Sequence, residues 1–448
     1  MLRCFAGLLL ALVLLGCTAP AGAPTSGAAS DPREVQRPLV VAGGREPESL
    51  GSKPLRQLGG AGLPRTALRA FNAGLVLNDA QALPHPYLAE ALPALNTDSW
   101  KLNSDGTMET TYHLRPALAW HDGASLTADD FVFAREVYAT PELGVSASAP
   151  IVYIQEVVAP DERTVVVRWK QAYADAANLQ ASDLPPLPRH ILDEPLRRHD
   201  PDAFAALPFW TTEYVGAGPY RLTRWERGGF IEAEGFAAHA GNAPRIDHLR
   251  LMFMNDSNAV IAALLSGAVD LATNDSLDVD QAFALERQWA ASEGGTVLRS
   301  PVGVRYAALQ LRPAYATPPA LLDPQVRRGI AYAIDRDALA AALSDGSEAV
   351  ADTMLLPRVE YFDQVKAAIV VYPHDPSANE RLMNQIGWRK DSEGQYRSGG
   401  ARFGLEIAVA AGGRNDNEVA IMADTLRRAG YDTSIRVIPR EQITDLQM

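Results

Sequence analysis

The chain has 448 residues, of which 47% are hydrophobic and 21% are charged, and its formal net charge at pH 7 is -13. This length exceeds what one hydrophobic core usually supports, so the sequence predicts two or three domains. The acidic balance and the lack of a concentrated basic stretch exclude a nucleic-acid partner, because phosphate binding requires clustered lysine and arginine.

The first residues of the chain are typical of an export signal. Arg3 precedes an apolar run over residues 5–15, which ends in Gly16 and Cys17. The run is too short to cross a bilayer, which needs roughly 20 apolar residues. The Leu-Leu-Gly-Cys at residues 14–17 resembles the lipobox of bacterial lipoproteins. That resemblance implies that residues 1–16 are a signal peptide and that Cys17 is acylated.

Residues 17–38 are rich in Ala, Gly, Ser, Thr and Pro, which predicts a flexible tether. Cys17 could instead be a buried thiol, but its small and polar neighbours offer no core to bury it. Since Cys4 lies in the predicted signal peptide, Cys17 would be the one cysteine that remains. A single thiol forms no internal disulfide and no multi-cysteine metal site.

The first well-defined block covers residues 112–138. A short strand is followed by a turn at Asp122-Gly123, and Thr127 with Asp130 three residues later forms the pattern of a helical capping box. Residues 161–169 alternate as a strand after a turn at Pro160-Asp161. Strands interleaved with a helix indicate an α+β or α/β body and not a helix bundle.

The second block covers residues 216–236 and predicts a hairpin of strands 220–225 and 230–234, joined across Gly228-Gly229. Further elements follow in order: a strand at 246–254, a helix capped by Asp256 or Ser257 and ended by Gly267, and a strand at 269–272.

A third block begins a helix at Asp323-Pro324, with aspartate at the N-cap and proline in the first turn. Its apolar positions fall on one face: Val326, Ile330, Ala333 and Ile334. The last block predicts a helix ended by Gly387, a strand at 402–410 and a helix-strand unit at 418–437.

Four segments of the chain resemble the family 5 extracellular solute-binding proteins of bacterial ABC importers, which include oligopeptide-, dipeptide- and nickel-binding receptors. They are LRPALAWHDGASLTADDFVFA at 114–134, GAGPYRLTRW at 216–225, IAALLSGAVDLAT at 261–273 and LLDPQVRRGIAYAIDRDAL at 321–339. The resemblance extends over residues 39–439. It implies an α/β, bilobal periplasmic-binding-protein-like fold, with a cleft between two lobes and an inserted small domain.

The resemblance also implies approximate domain boundaries after the signal peptide and tether. They are 39–75 for the first part of lobe 1, 76–187 for the inserted α/β domain, 188–308 for the second part of lobe 1 and 309–448 for lobe 2. Family members usually continue well past the position of Met448, so lobe 2 is expected to be incomplete. The chain is then either a truncated product or a short variant with a reorganised ligand site. No residue that pairs with a ligand ammonium group is assigned.

Four residues are candidates for ligand contact. Tyr306 and Gln310 lie on a predicted hinge strand over residues 305–311, and Trp210 and Gly218 lie near the start of the hairpin block. Each of them could equally be an ordinary core or turn residue. Residues 72–78 resemble the entry to the inserted domain, where a structural role is expected.

The resemblance implies an exported receptor, lipid-anchored in the periplasm or on the outer face of the cell membrane. It would capture a small solute, above all a short peptide, and deliver it to an ABC permease and ATPase complex. Two alternatives stay open: a metal or metallophore receptor of the same fold, and a non-transporting envelope lipoprotein that senses solute or acts as a scaffold. The sequence contains no nucleophile elbow, no zinc-protease motif and no Walker loop, so neither an enzyme nor a bound cofactor or metal is predicted.

Overall fold

The structure is a computed structural model that describes residues 37–439, apart from residues 52–62, 144–146, 199, 242, 293, 300–303, 345–349, 358 and 360. The predicted signal peptide, Cys17 and nearly all of the predicted tether lie outside the described residues. The described elements include both strands and helices, in runs of either kind.

The strands are β1 (Leu39–Gly43), β2 (Val76–Asn78), β3 (Pro84–Pro86), β4 (Trp100–Leu102), β5 (Met108–His113), β6 (Ile154–Asp161), β7 (Thr164–Trp169), β8 (Tyr220–Glu226), β9 (Phe230–Gly235), β10 (His248–Phe253), β11 (Leu271–Ala272), β12 (Arg389–Lys390), β13 (Tyr396–Ser398), β14 (Ala401–Arg402), β15 (Gly404–Ala410) and β16 (Asp432–Ile438). The α-helices are α1 (Leu63–Phe71), α2 (Ala128–Ala139), α3 (Arg189–Arg198), α4 (Pro201–Ala205), α5 (Ser257–Leu265), α6 (Val279–Ser292), α7 (Pro324–Ala333), α8 (Arg336–Ser344), α9 (Phe362–Val365), α10 (Pro376–Gln385) and α11 (Gly413–Ala429).

A five-stranded sheet has the order β11-β1-β10-β9-β8. The second strand, β1, runs parallel to β10 and β11, whereas β10, β9 and β8 pair antiparallel. Because β1 is covered on both faces, its sequence is a continuous apolar run with Val40, Val41 and Ala42 all buried. The predicted hairpin is confirmed: β8 and β9 are joined across Gly228, whose φ of +76° suits glycine.

A four-stranded antiparallel sheet has the order β4-β5-β7-β6. Helix α2 packs against it and begins where predicted, since the Thr127 amide donates to the Asp130 carboxylate at 2.9 Å. The predicted strand at 161–169 is wrong at its start: Asp161 ends β6, and β7 begins at Thr164. The chain reverses at residues 162–163, because the alternation continues through a tight turn that the pattern alone does not locate.

A separate apolar cluster is built from α7, α10, α11 and the strands between them. Asp323 caps α7 by accepting from the Gln325 amide at 2.7 Å, as predicted. The buried Asn379 donates to the Tyr396 hydroxyl at 3.1 Å and accepts from the Tyr431 hydroxyl at 2.7 Å. A buried amide costs little when both of its ends are bonded, so this trio fixes how α10 meets the strands.

Two predicted strands differ from the structure. Residues 304–311 form no strand, and the predicted strand at 269–272 is reduced to the two residues of β11. A strand requires a neighbour with which to exchange backbone hydrogen bonds. None of the described strands pairs with residues 304–311, and Tyr306 is 71% exposed there.

The two larger sheets are made from different parts of the chain. The four-stranded sheet lies within residues 76–187, and the five-stranded sheet draws on residues 39–75 and 188–308. This distribution follows the predicted division into lobe 1 and an inserted domain, while the boundaries themselves stay a prediction.

Candidate functional site

A cavity of about 450 Å³ lies beside the loop that follows β1. Its walls come from that loop, helix α1, strand β2 and the loop at residues 180–182. The residues that line it are Ser49, Leu50, Gly51, Pro64, Arg65, Leu68, Arg69, Asn72, Gly74, Val76, Leu77, Tyr87, Gln180, Ala181, Ser182 and Pro219. In α/β sheets, ligands commonly bind in a crevice beyond the carboxyl ends of parallel strands, and the loop after β1 occupies such a position.

The loop after β1 is held in place by Trp210. The Leu50 amide donates to the Trp210 carbonyl at 2.9 Å. Gly51 lies so close to the indole that a Cβ atom at Gly51 would be 3.0 Å from Cε3 of Trp210. The indole is 2% exposed, and its Nε1 donates to the Phe204 carbonyl at 2.8 Å. Trp210 therefore supports the cavity wall from behind and does not itself line the cavity.

Asn72 connects the loop to helix α1. Its Nδ2 donates to the Leu50 carbonyl at 2.8 Å and to the Leu68 carbonyl at 3.2 Å. Its Oδ1 accepts from the Tyr214 hydroxyl, and burial raises the pKa of Tyr214 above its ordinary value. Both ends of this amide are bonded to protein, so Asn72 fixes the shape of the cavity.

Helix α1 presents two different faces. Leu63, Ala67, Ala70 and Phe71 form its buried stripe. Arg65 and Arg69, one turn apart on another face, are exposed and line the cavity. The apolar stripe packs against the core, so the two positively charged arginines on the opposite face of the helix lie toward the cavity and the solvent.

The opposite wall comes from the chain around β2. Gly74 approaches the loop at residues 180–182 so closely that a Cβ atom would lie 2.4 Å from the Ala181 nitrogen. The Tyr87 hydroxyl lies 3.0 Å from Nε2 of His239. Burial raises the pKa of Tyr87 and lowers the pKa of His239, so this pair is uncharged near neutral pH.

Gly218 lies just before β8 and contacts the end of α1 and the loop that leads to α2. Its amide donates to the Phe71 carbonyl at 3.0 Å, and its carbonyl oxygen lies 3.0 Å from Nε2 of His121. Nδ1 of His121 accepts from the Gly216 amide at 3.2 Å. An imidazole that donates through Nε2 and accepts through Nδ1 is neutral. Burial lowers the pKa of His121 to about 4.

The His121 contacts predict a pH-dependent stability. Unfolded histidine titrates near pH 6.5, so between there and about pH 4 the unfolded chain binds a proton that the folded chain does not. The free energy of unfolding therefore falls as pH falls through this window, by about 3 kcal/mol in total. Urea unfolding at the two ends of the window measures this loss. In His121→Gln the loss should be smaller by the same amount, and an identical pH dependence in both proteins would contradict the assignment.

The four predicted ligand contacts are not brought together. Trp210 touches Gly51 and Gly218 touches Asn72, and both Gly51 and Asn72 line the cavity. Tyr306 and Gln310 lie on an exposed segment, where Oε1 of Gln310 accepts from the Arg312 amide at 3.1 Å. Neither Tyr306 nor Gln310 lines the cavity, so a role for these two residues in binding stays a prediction.

Sequence reasoning did not identify Arg65, Arg69 or Tyr87 as cavity residues. The available signal was the spacing of Arg65 and Arg69, four residues apart on a helix whose apolar residues occupy another face. Within the described ranges, no group of three or more His, Cys, Asp and Glu side chains is arranged to hold a metal ion. The helices of those ranges also include none with the length and apolar character needed to cross a membrane.

A family model for "Bacterial extracellular solute-binding proteins, family 5 Middle" matches residues 90–448. A Brucella ovis relative with the name "Putative ABC transporter peptide-binding protein" is 27% identical over 284 residues, which are 63% of this chain and 50% of that protein. The chain thus spans about half the length of this relative. Protein XP55 of Streptomyces lividans is 27% identical over 424 residues, which are 94% of this chain and 69% of that protein.

Two solved structures share the fold. NikA from Brucella suis, in complex with Fe(III)-EDTA, superposes with a TM-score of 0.71 at 20% identity and covers 91% of this chain and 76% of its own. AppA from Bacillus subtilis, in complex with a nonapeptide, gives 0.62 at 18% identity, with 91% and 76% covered. At such identity the likeness concerns the fold alone, and the predicted bilobal α/β fold is confirmed.

Proposed function

Because the chain belongs to the bacterial extracellular solute-binding proteins of family 5, we propose that it captures a short peptide outside the cytoplasm and delivers it to an ABC permease and ATPase complex. The observation that carries this proposal is the cavity beside the loop after β1. Its volume of about 450 Å³ falls in the range of small-ligand sites. It combines apolar and polar walls, as a peptide backbone with varied side chains requires.

The walls of the cavity are organised before any ligand arrives. Trp210 and Asn72 bond the backbone of Leu50 from two sides, at 2.9 and 2.8 Å. A wall that is already ordered loses little conformational entropy when a solute binds, which favours affinity. Leu68, Val76 and Leu77 supply apolar contact, while Tyr87 and Gln180 supply polar groups near them.

The proposal includes closure of the two lobes over the solute. Residues 39–75 and 188–308 form lobe 1, residues 76–187 are inserted into it, and residues 309–448 belong to lobe 2. Rotation about residues 305–311 closes the cleft by a hinge motion. In the closed form Tyr306 and Gln310 contact the solute, and their side chains are available for this contact because both are exposed in this structure.

A peptide is proposed as the solute because of the name of one relative and the ligand bound in one solved structure. The Brucella ovis relative is named for peptide binding, and AppA from Bacillus subtilis is known in complex with a nonapeptide. The test is uptake by a strain from which the gene has been deleted. Uptake of labelled di- to pentapeptides should fall and return on complementation, while unchanged uptake of every peptide would overturn the proposal. Nickel uptake, measured in parallel, serves as the control for a metal receptor of the same fold.

The proposed receptor is tethered to a membrane through Cys17. Residues 1–16 direct export and are removed, and residues 17–38 hold the body away from the membrane. Cys17→Ala is expected to move the protein from the membrane fraction to the soluble fraction, because no acylated residue remains. Cys4→Ala is the matched control, since Cys4 is removed with the signal peptide. Equal membrane retention of the Cys17→Ala variant and the wild type would refute the anchor.

A further inference from the structure

Two arginines one helical turn apart line the same wall of the cavity. Arg65 and Arg69 are four residues apart on α1, a spacing that places their Cβ atoms about 6 Å apart on a helix surface. Both are exposed and both line the cavity. The buried stripe of α1 fixes the orientation of the helix, so neither side chain can turn into the core.

These two cations lack a counter-charge among the described residues. No ion pair between described side chains includes Arg65 or Arg69, and residues 52–62, which precede the helix, contain no aspartate or glutamate. Some other exposed arginines of this acidic chain are paired: Arg163 with Glu90, Arg168 with Glu109 and Glu156, and Arg221 with Glu234.

We propose that Arg65 and Arg69 together bind a carboxylate of the solute. Two like charges about one helical turn apart repel one another, and an anion between them relieves that repulsion. Guanidinium groups bind carboxylates through paired, charge-assisted hydrogen bonds, which fix the orientation of the ligand as well as its affinity. The inference rests on the proposed function and deepens it: the solute enters the cavity with an acidic end toward α1.

The carboxylate can come from the C-terminus of a peptide or from a free organic acid, and one experiment separates them. Thermal-shift titrations of the wild-type protein compare a pool of di- to pentapeptides as free acids, the same pool as C-terminal amides, and succinate. We expect the free-acid pool to bind about tenfold more tightly than the amides. A response to succinate as strong as that to the free-acid pool would identify a free organic acid as the source.

The arginines are then tested by substitution. Arg65→Gln and Arg69→Gln are each expected to weaken binding of the free-acid pool about threefold, so that together they account for the tenfold preference over the amides. In the double variant, free acids and amides should bind equally. Arg328→Gln is the matched control, because Arg328 is an exposed arginine on α7 that does not line the cavity. Its affinity for the free-acid pool should be that of the wild type.

Two failures can be told apart. Equal binding of free acids and amides by the wild type would overturn the carboxylate contact and leave the receptor function standing. No binding of either peptide pool or of succinate would overturn the receptor function and this inference with it.

Discussion

Gly218→Ala is expected to lower the free energy of unfolding by about 3 kcal/mol, which is near the upper end for a single added methyl group. A Cβ atom at Gly218 would lie 2.4 Å from the Phe71 carbonyl carbon, 2.5 Å from the Asn72 nitrogen and 2.6 Å from the Ala70 oxygen. All three are backbone atoms at the end of α1. Relief requires moving that helix end, together with Asn72 and the cavity wall it supports.

The measurement for Gly218→Ala is urea unfolding of the purified protein, with Gly229→Ala as the control. Gly229 lies in an exposed turn, where the nearest atom to an added Cβ would be the Glu226 Cγ at 3.4 Å, an ordinary contact. The control should change stability by no more than about 0.5 kcal/mol. If both variants were equally stable, the close approach at Gly218 would not exist as described.

Trp210→Ala is expected to lower the free energy of unfolding by about 4 kcal/mol, the usual cost of removing a buried tryptophan. The indole packs edge-on against Phe204 and Phe209, with ring centroids 5.5 and 4.9 Å apart. It also contacts Gly51 in the loop after β1. Removal therefore loosens one wall of the cavity, so we also expect weaker peptide binding by the protein that remains folded.

Trp169→Ala is the matched control for Trp210→Ala. Trp169 is also fully buried, its Nε1 donates to Oγ1 of Thr110 at 3.0 Å, and it does not line or support the cavity. Its loss should cost similar stability and leave the peptide affinity of the folded protein unchanged. Equal loss of affinity in both variants would mean that Trp210 acts through global stability alone.

Helix ends were predictable from the sequence where the local backbone conformation accepts only a few residue types. Aspartate before proline begins a helix at Asp323, and a glycine with positive φ ends one at Gly267, because only a few residue types meet those backbone requirements. The family was predictable for another reason: four segments occur in a fixed order. That prediction is confirmed by the match over residues 90–448.

The strand predicted at residues 305–311, which the structure does not contain, shows where sequence reasoning fails. The pattern RYAALQL has the composition of a strand, yet pairing depends on a neighbour that the pattern does not contain. The cavity could not be predicted from the sequence for a similar reason. Arg65 and Arg69 look like ordinary helix-surface charge until α1 is placed beside the loop after β1, and that placement depends on contacts far apart in the chain, such as Asn72 with Leu50 and Tyr214.

The most direct test of peptide binding is a thermal-shift screen of the purified protein against di- to pentapeptide pools and divalent nickel. A ligand that binds only the folded state adds about 2.7 kcal/mol of stability at a hundredfold excess over its dissociation constant. A peptide receptor should show one cooperative transition whose midpoint rises, and saturates, with a peptide pool. A midpoint that no peptide pool moves, or that moves with nickel alone, would contradict the proposal that this protein is a peptide receptor.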